Sequence, residues 1–453
     1  MALAQDLASL AERTEADQFQ TFEKHLDPKW IEEALTATGT ATVRRRRLPA
    51  EQVVWLVIGM AMFVMRSMKE VVASLDLALP GPKEVVPSAI TQARTRLGEE
   101  PVVQVFRRSG ELWADRSADA HQWRGLSLYG VDGTTLRVAD SPENRATFGG
   151  QSDKAKRGAS GYPLVRLLAL MVLRSHILRS VKVGPYTGSS EPSLARELFP
   201  EIPDNSLTIV DRGFLSPGML VPLAKGGENR HWLTRAKSTT KWAVINHLGK
   251  GDDLVEIRVS RDARKKDPSL GETWWVRAIT YQRKGYRPQI LLTSLWDEEL
   301  YPAKELILLY HERWELELGF AEVKTEMLDR QETIRSRTPV GVRQEIWGLL
   351  IAYNLIRVEM EQVAAEAGVP PVQISFVMAL HLIQDEFMWC GVASPGTIPA
   401  KLRRMRTNVG RFVLPPRRPD RIFPRAVKIK MSNYKRKRPT TTGGCRATIT
   451  PPG

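Results

Sequence analysis

The chain has 453 residues, 42% hydrophobic and 26% charged, with a net charge of +15. That length leaves room for roughly two to four domains with buried cores of their own, and the apolar and charged fractions are ordinary for a globular protein. Two cysteines, Cys390 and Cys445, exclude a disulfide framework and a four-thiolate zinc site, and the seven scattered histidines have no zinc-ligand spacing.

The opening MALAQDLASLAERTEADQF is polar and has no signal-peptide core. The longest nearly uninterrupted apolar run, Val53 to Met65, is too short to span a bilayer and reads as a buried helix. A cytoplasmic protein with no membrane partner is expected. Residues 1–118 read as helical: Pro49 sits near a helix start, and a second helical stretch follows the turn Pro80-Gly81-Pro82. Beside the basic run Arg44, Arg45, Arg46 and Arg47, these helices suit a DNA-binding domain; a solvated basic face is the alternative.

After residue 120 the pattern turns to strands. SLYGVDGTTLRV reads as strand, Asp-Gly turn, strand, and LVRLLALMVL as a buried strand. EPSLARELF is a short helix, SLTIVDRGF a strand ending in Asp211, SPGMLVPLAK a helix start and HWLTRA a strand. Residues 237–294 are polar, with β-like pieces and no convincing helix. Long helices follow from about Ala303 to Leu328 and from about Val342 to Val363. This order predicts an α/β core made of 119–236 and 295–395, a β-rich insertion at 237–294 and a tail at 396–453. Between Lys401 and Arg446 stand sixteen Lys and Arg against one acid, Asp420, while the remainder holds fifty of each sign. Such a tail marks a polyanionic partner or is simply solvated, and both readings stand at this point.

Three acids are notable for position. Asp132 precedes Gly133 at a strand end, Asp211 ends a second strand, and Glu317 lies mid-helix. Carboxylates at neighbouring strand ends, joined by one from a packed helix, can hold two hard divalent cations for phosphoryl transfer. Each also has a plain alternative: Asp-Gly forms hairpin turns, Asp211 before Arg-Gly can begin a turn, and Glu317 can pair with Arg313 on a surface. Asp140 and Glu143, beside Ser141-Pro142, read as turn residues. At about 100° per residue, Arg313, Glu317 and Lys324 fall at about −60°, −20° and −40° from Tyr310. Apolar residues flank this narrow polar stripe: Leu309, Leu316 and Phe320 on one side, Trp314 and Leu318 on the other. A solvated face carries polar residues over a wider arc and a core face carries none, so the stripe suggests a groove holding one acid and two cations.

The segment YHERWELELGFAEVK fits Y-x2-R-x3-E-x6-K and so resembles the signature of the insertion-element-4 family of bacterial DDE transposases. The likeness continues through GVDGTTLRVADSPENRATFG, TIVDRGF and LPAEQVVWLVIGMAMF and covers most of the chain. It implies a ribonuclease H-like catalytic core with a β-rich insertion between the second Asp and the Glu, preceded by a helical N-terminal domain. The spacings, 79 residues from Asp132 to Asp211 and 106 from Asp211 to Glu317, agree with that order. By the same resemblance Asp132, Asp211 and Glu317 are the metal-binding triad for Mg²⁺, with Mn²⁺ as substitute, and Tyr310, Arg313 and Lys324 contact the DNA end. Some relatives carry a Trp before the strand leading to the signature helix. Here YRPQILLTSLW has Pro288 and Gln289 ahead of that strand and Trp296 after it, leaving Trp274 and Trp275 as stacking candidates. The loop GGQSDKAKRGASGYP offers Lys154, Lys156 and Arg157 to phosphates.

The reading is a cut-and-paste transposase acting on double-stranded DNA, both terminal inverted repeats and target, as a homodimer or larger synaptic assembly. A nuclease of the same fold and a catalytically silent DNA-binding regulator are the alternatives.

Overall fold

The computed structural model describes residues 25–41, 48–75, 77, 85–151, 161–283, 287–329, 333–390 and 398–415. Helices come first: α1 (Pro28–Ala37), α2 (Ala50–Met62), α3 (Met68–Ser74), α4 (Pro87–Leu97) and α5 (Glu100–Ala120). Their boundaries follow local chemistry. Asp27 caps α1, Ser67 and Glu70 form a capping box at the start of α3, and Gly98 leaves α4 at a positive φ of 69°.

The chain then builds β1 (Ser127–Val138), α6 (Pro142–Phe148), β2 (Leu164–Val172), β3 (Leu178–Pro185), α7 (Glu191–Leu198), β4 (Ser206–Val210), α8 (Pro217–Lys225) and β5 (Arg230–Arg235). β1, β2 and β3 pair antiparallel, while β1, β4 and β5 pair parallel, in the order β3-β2-β1-β4-β5. This is the ribonuclease H-like arrangement that the sequence led us to expect. One local expectation fails. SLYGVDGTTLRV is a single uninterrupted strand, with Asp132 opposite Ala169 and Gly133 opposite Leu168. An Asp-Gly turn needs its two flanks to pair with each other; here β2 takes one edge of the whole segment, and no fold-back forms.

Residues 237–294 contribute β6 (Ala243–Gly249), β7 (Asp252–Arg258), α9 (Arg261–Lys266), β8 (Thr273–Tyr281) and β9 (Gln289–Thr293). The helix α9 corrects the helix-free expectation. Ser260 caps it and Arg264, Lys265 and Lys266 fill its last turn, yet no residue of it is buried, so it shows no apolar period. β9 pairs antiparallel with β5, so these strands prolong the same sheet as β5-β9-β8-β7-β6.

After the sheet come α10 (Ala303–Glu312), α11 (Trp314–Ala321), a π-helical turn (Glu322–Met327), β10 (Thr333–Ile334), α12 (Pro339–Ala367), α13 (Phe376–Cys390) and α14 (Ile398–Val409). The expected helix from Ala303 to Leu328 is therefore jointed. At Arg313 the bonds tighten, with the Arg313 N–H reaching the Tyr310 carbonyl at 3.2 Å and the Leu316 N–H the Arg313 carbonyl at 3.1 Å.

Helix α2 is buried around nearly its whole circumference, so it needs cover on every side. Its main cover is α12, which approaches so closely that a Cβ at Gly348 would lie 2.7 Å from the Val57 carbonyl oxygen. Helix α5 rests on β3 in the same manner, a Cβ at Gly110 falling 3.0 Å from the Leu178 and Arg179 carbonyls. Helical and sheet regions thus share one contiguous core.

Candidate active site

The register of β1 and β4 brings two acids together. Val131 pairs with Val210, so Asp132 and Asp211 are the next residues on adjacent parallel strands. Asp211 leaves β4 as the cap of a short 3-10 turn, its Oδ2 accepting from the Gly213 N–H at 3.2 Å. Asp132 Oδ1 accepts from the Gly133 N–H at 2.8 Å. Burial pushes the Asp132 carboxyl up to about 6. The negative charges of Glu191 and Asp211 add to that, while the Gly133 N–H and Arg313 oppose it.

Two absent side chains seat the signature helix on these strands. A Cβ at Gly130, on β1, would lie 2.8 Å from Leu316, and one at Gly319 would lie 2.5 Å from Met171. With α11 packed this closely, Arg313 reaches both helix and sheet. Its Nη2 donates to Glu317 Oε1 at 3.0 Å and its Nη1 stands 3.8 Å from Asp132 Oδ2. One guanidinium therefore lies between two of the three candidate acids. Among the described residues, no three His, Cys, Asp or Glu side chains form a group that could hold a metal ion.

Tyr310 is buried beside this group. Burial raises its phenol, with the positive charges of Arg313 and Arg235 opposing and Asp211 reinforcing the rise. Lys324 sits half-buried in the π-turn. The wider turn breaks the 100° spacing on which its place in the stripe depended, so the regular stripe ends at Glu317. Arg44, Arg45, Arg46, Arg47, Lys154, Lys156 and Arg157 lie outside the described residues, as does the tail beyond 415. Asp140 is held by Arg145, whose Nη2 donates to Oδ2 at 2.7 Å, and Glu143 lies in the first turn of α6.

The structure adds Glu191, which the sequence offered only as part of a helix start. It opens α7, and a Cβ at Gly133 would stand 2.8 Å from its carboxyl carbon. Glycine after Asp132 thus leaves room for a fourth acid, a role that its turn-forming habit concealed. The tryptophans gather elsewhere. Trp274, Trp275 and Trp296 line a cavity of about 690 Å³ with Lys225, Arg230 and Trp232. Arg230 begins β5, and β5 runs parallel to β4, so this cavity lies at the end of the strands opposite Asp211. Trp274 packs on Trp232 with ring centroids 5.2 Å apart, whereas Trp275 and Trp296 are about half exposed.

Comparison with known proteins identifies the family. The family model for the insertion element 4 transposase N-terminal region matches residues 16–107, and that for the transposase DDE domain matches residues 123–355. The chain belongs to the insertion-element-4 family of DDE transposases. This transposase is 40% identical over 412 residues to the transposase InsG for insertion sequence element IS4 of Escherichia coli (strain K12), across 90% of this chain and 92% of that one. It is also 40% identical over 223 residues to the putative transposase InsZ of the same organism, across 48% and 71% of the two chains. Among solved structures, the piggyBac transposase synaptic complex with hairpin DNA matches at 12% identity and a TM-score of 0.41, covering 89% of this transposase and 86% of that chain. The DDE-domain match and the 40% identity to the transposase InsG make the protein a DNA transposase, and no helix among its described residues is long and apolar enough to cross a membrane.

Proposed function

We propose that Asp132, Asp211 and Glu317 are the catalytic acids, and that they hold divalent metal ions while the transposase cuts element ends and joins the 3′-hydroxyls to target DNA. The observation that carries this reading is the pairing of Asp132 and Asp211 on adjacent strands, with Glu317 tied to Asp132 through Arg313. The donor set fits Mg²⁺, with Mn²⁺ as substitute: it is all carboxylate oxygen, and a guanidinium already supplies positive charge between two of the acids. When bound, the ions would activate the attacking oxygen and stabilise the leaving one.

The chain's own residues do the rest. Arg313 neutralises the acids in the absence of DNA, and a DNA phosphate competes for its planar fork. As that phosphate takes Arg313, the acids become available. Tyr310 and Lys324 add contacts to phosphate oxygens near the cleaved bond. The helical region 1–118, with Arg44, Arg45, Arg46 and Arg47, recognises the inverted repeats. Lys154, Lys156, Arg157 and the basic tail 396–453 supply salt-sensitive affinity. Two ends must be cut together, so the working form is a homodimer or larger on DNA, in the cytosol.

The test is Asp211→Ala, assayed with linear DNA carrying native element ends in Mg²⁺ or Mn²⁺. Cleavage should fall by at least about a thousandfold, as for loss of a metal-held reaction centre, while end binding persists. Retained cleavage refutes the assignment.

A further inference from the structure

The signature helix has a second polar face, turned away from Glu317. Glu315 and Glu322 are two turns apart on α11 and the π-turn, and both meet His176 from the β2–β3 connection. His176 is 1% exposed and takes the left-handed φ of 64°, a conformation uncommon outside glycine that here brings its ring into the interior. Its Nε2 lies 2.8 Å from Glu315 Oε2, and its Nδ1 lies 2.5 Å from Arg357 Nη2.

Arg357, on α12, is also 1% exposed. It pairs with Glu322 and lies over the rings of Tyr353 and Phe376, 5.8 Å and 5.3 Å from their centroids. The Tyr353 hydroxyl donates to Glu322 Oε2 at 2.8 Å and accepts from Arg357 Nε at 3.3 Å. Burial alone would push the Glu322 carboxyl up; Arg357 and His176 outweigh it and hold it down at about 2.

A buried ion pair gives little net stability over apolar packing, and fixing one arrangement among several is its better-attested use. Here the arrangement is specific. Glu322 is the first residue of the π-turn Glu322–Met327, which also carries Lys324. An unbroken α-helix would present position 324 at another angle, and π-bulges of this kind recur at functional sites.

We propose that Arg357, with Tyr353 and His176, is a positioning residue for Lys324: it clamps Glu322 at the start of the π-turn and so fixes the direction in which Lys324 meets a DNA phosphate. This rests on the reading of Lys324 as a phosphate contact.

The test is the salt dependence of binding between the full-length transposase and a duplex carrying its native end. Three variants are compared with the wild type: Lys324→Met, the paired Glu322→Met with Arg357→Met, and all three changes together. Removing both charges of the pair leaves neither buried alone. Loss of one phosphate contact flattens the slope of log K against log salt by about 0.9. The inference predicts that loss for Lys324→Met, the same loss for the paired variant, and no further loss for the combination. Should the paired variant fail to fold, Tyr353→Phe removes one hydroxyl and leaves every charge. It is expected to weaken binding about two- to threefold in the wild type and not at all in Lys324→Met, the asymmetry expected of coupled residues. An unchanged slope for Lys324→Met would remove the phosphate reading and the inference with it. A normal Lys324→Met loss alongside a paired variant of unchanged slope, or alongside additive losses, would overturn the inference alone.

Discussion

Arg313 is where the chemistry of the site concentrates. Its guanidinium bonds Glu317 and faces Asp132, and in the proposed function it is also the residue that a DNA phosphate competes for. A cation held by two acids competes with any metal that those acids would bind. Arg313→Gln should therefore let Mn²⁺ bind the DNA-free protein about tenfold more tightly, the equivalent of one charge-assisted hydrogen bond. Isothermal titration without DNA measures it; unchanged or weaker affinity would mean that Arg313 does not stand in the metal's place. The sequence showed Arg313 and Glu317 four residues apart and left open whether they formed a surface pair or a site. The structure contains the pair and places Asp132 against it. Only tertiary packing could supply the second contact, because Asp132 is remote in sequence. Glu191 was illegible for the same reason: its approach to Asp132 depends on a missing Cβ at Gly133.

At the scale of elements, strands were easier to read than joints. The apolar runs that form β2 and β4 are buried along almost their whole length, and burial leaves a plain mark in composition. The signature helix was read as continuous because its apolar and polar residues keep a helical period through Arg313. Its tightened joint and π-turn arise from packing, including the clamp on Glu322, which no periodicity records. Close approach between elements is equally silent in sequence, yet it carries consequences. Gly348→Ala would set a Cβ 2.7 Å from the Val57 carbonyl oxygen, a backbone atom that cannot swing aside. Overpacking of this kind costs about 1–3 kcal/mol. Urea denaturation should show that loss, with the midpoint lowered and the slope unchanged. An unaltered midpoint would mean that α2 and α12 separate easily.

Across the whole molecule, the helices and the sheet are joined by buried polar ties as well as by the apolar core. Glu359, on α12, accepts from Arg406 of α14 and meets His25 near the start of the described chain, with His25 Nε2 2.8 Å from Oε2. Burial pushes its carboxyl up, but His25 and Arg406 outweigh that and bring it down to about 2. A carboxyl held lower in the folded than in the unfolded chain stabilises the fold above its unfolded value. That stability is lost as pH falls from about 4.5 through about 2. Urea midpoints across this window should drop for the wild type and drop less for Glu359→Gln; parallel curves would remove the tie. In the proposed function three acids, remote in sequence, form one metal centre on DNA. Fe²⁺ exchanged into the DNA-bound transposase and supplied with hydrogen peroxide and ascorbate cuts the polypeptide beside the metal, the peroxide giving local hydroxyl radicals as Fe²⁺ is oxidised and the ascorbate reducing the iron again. Cuts are expected to cluster beside Asp132, Asp211 and Glu317 and to be suppressed by excess Mg²⁺; cuts elsewhere, or beside only one of the three, would rule out a shared metal centre.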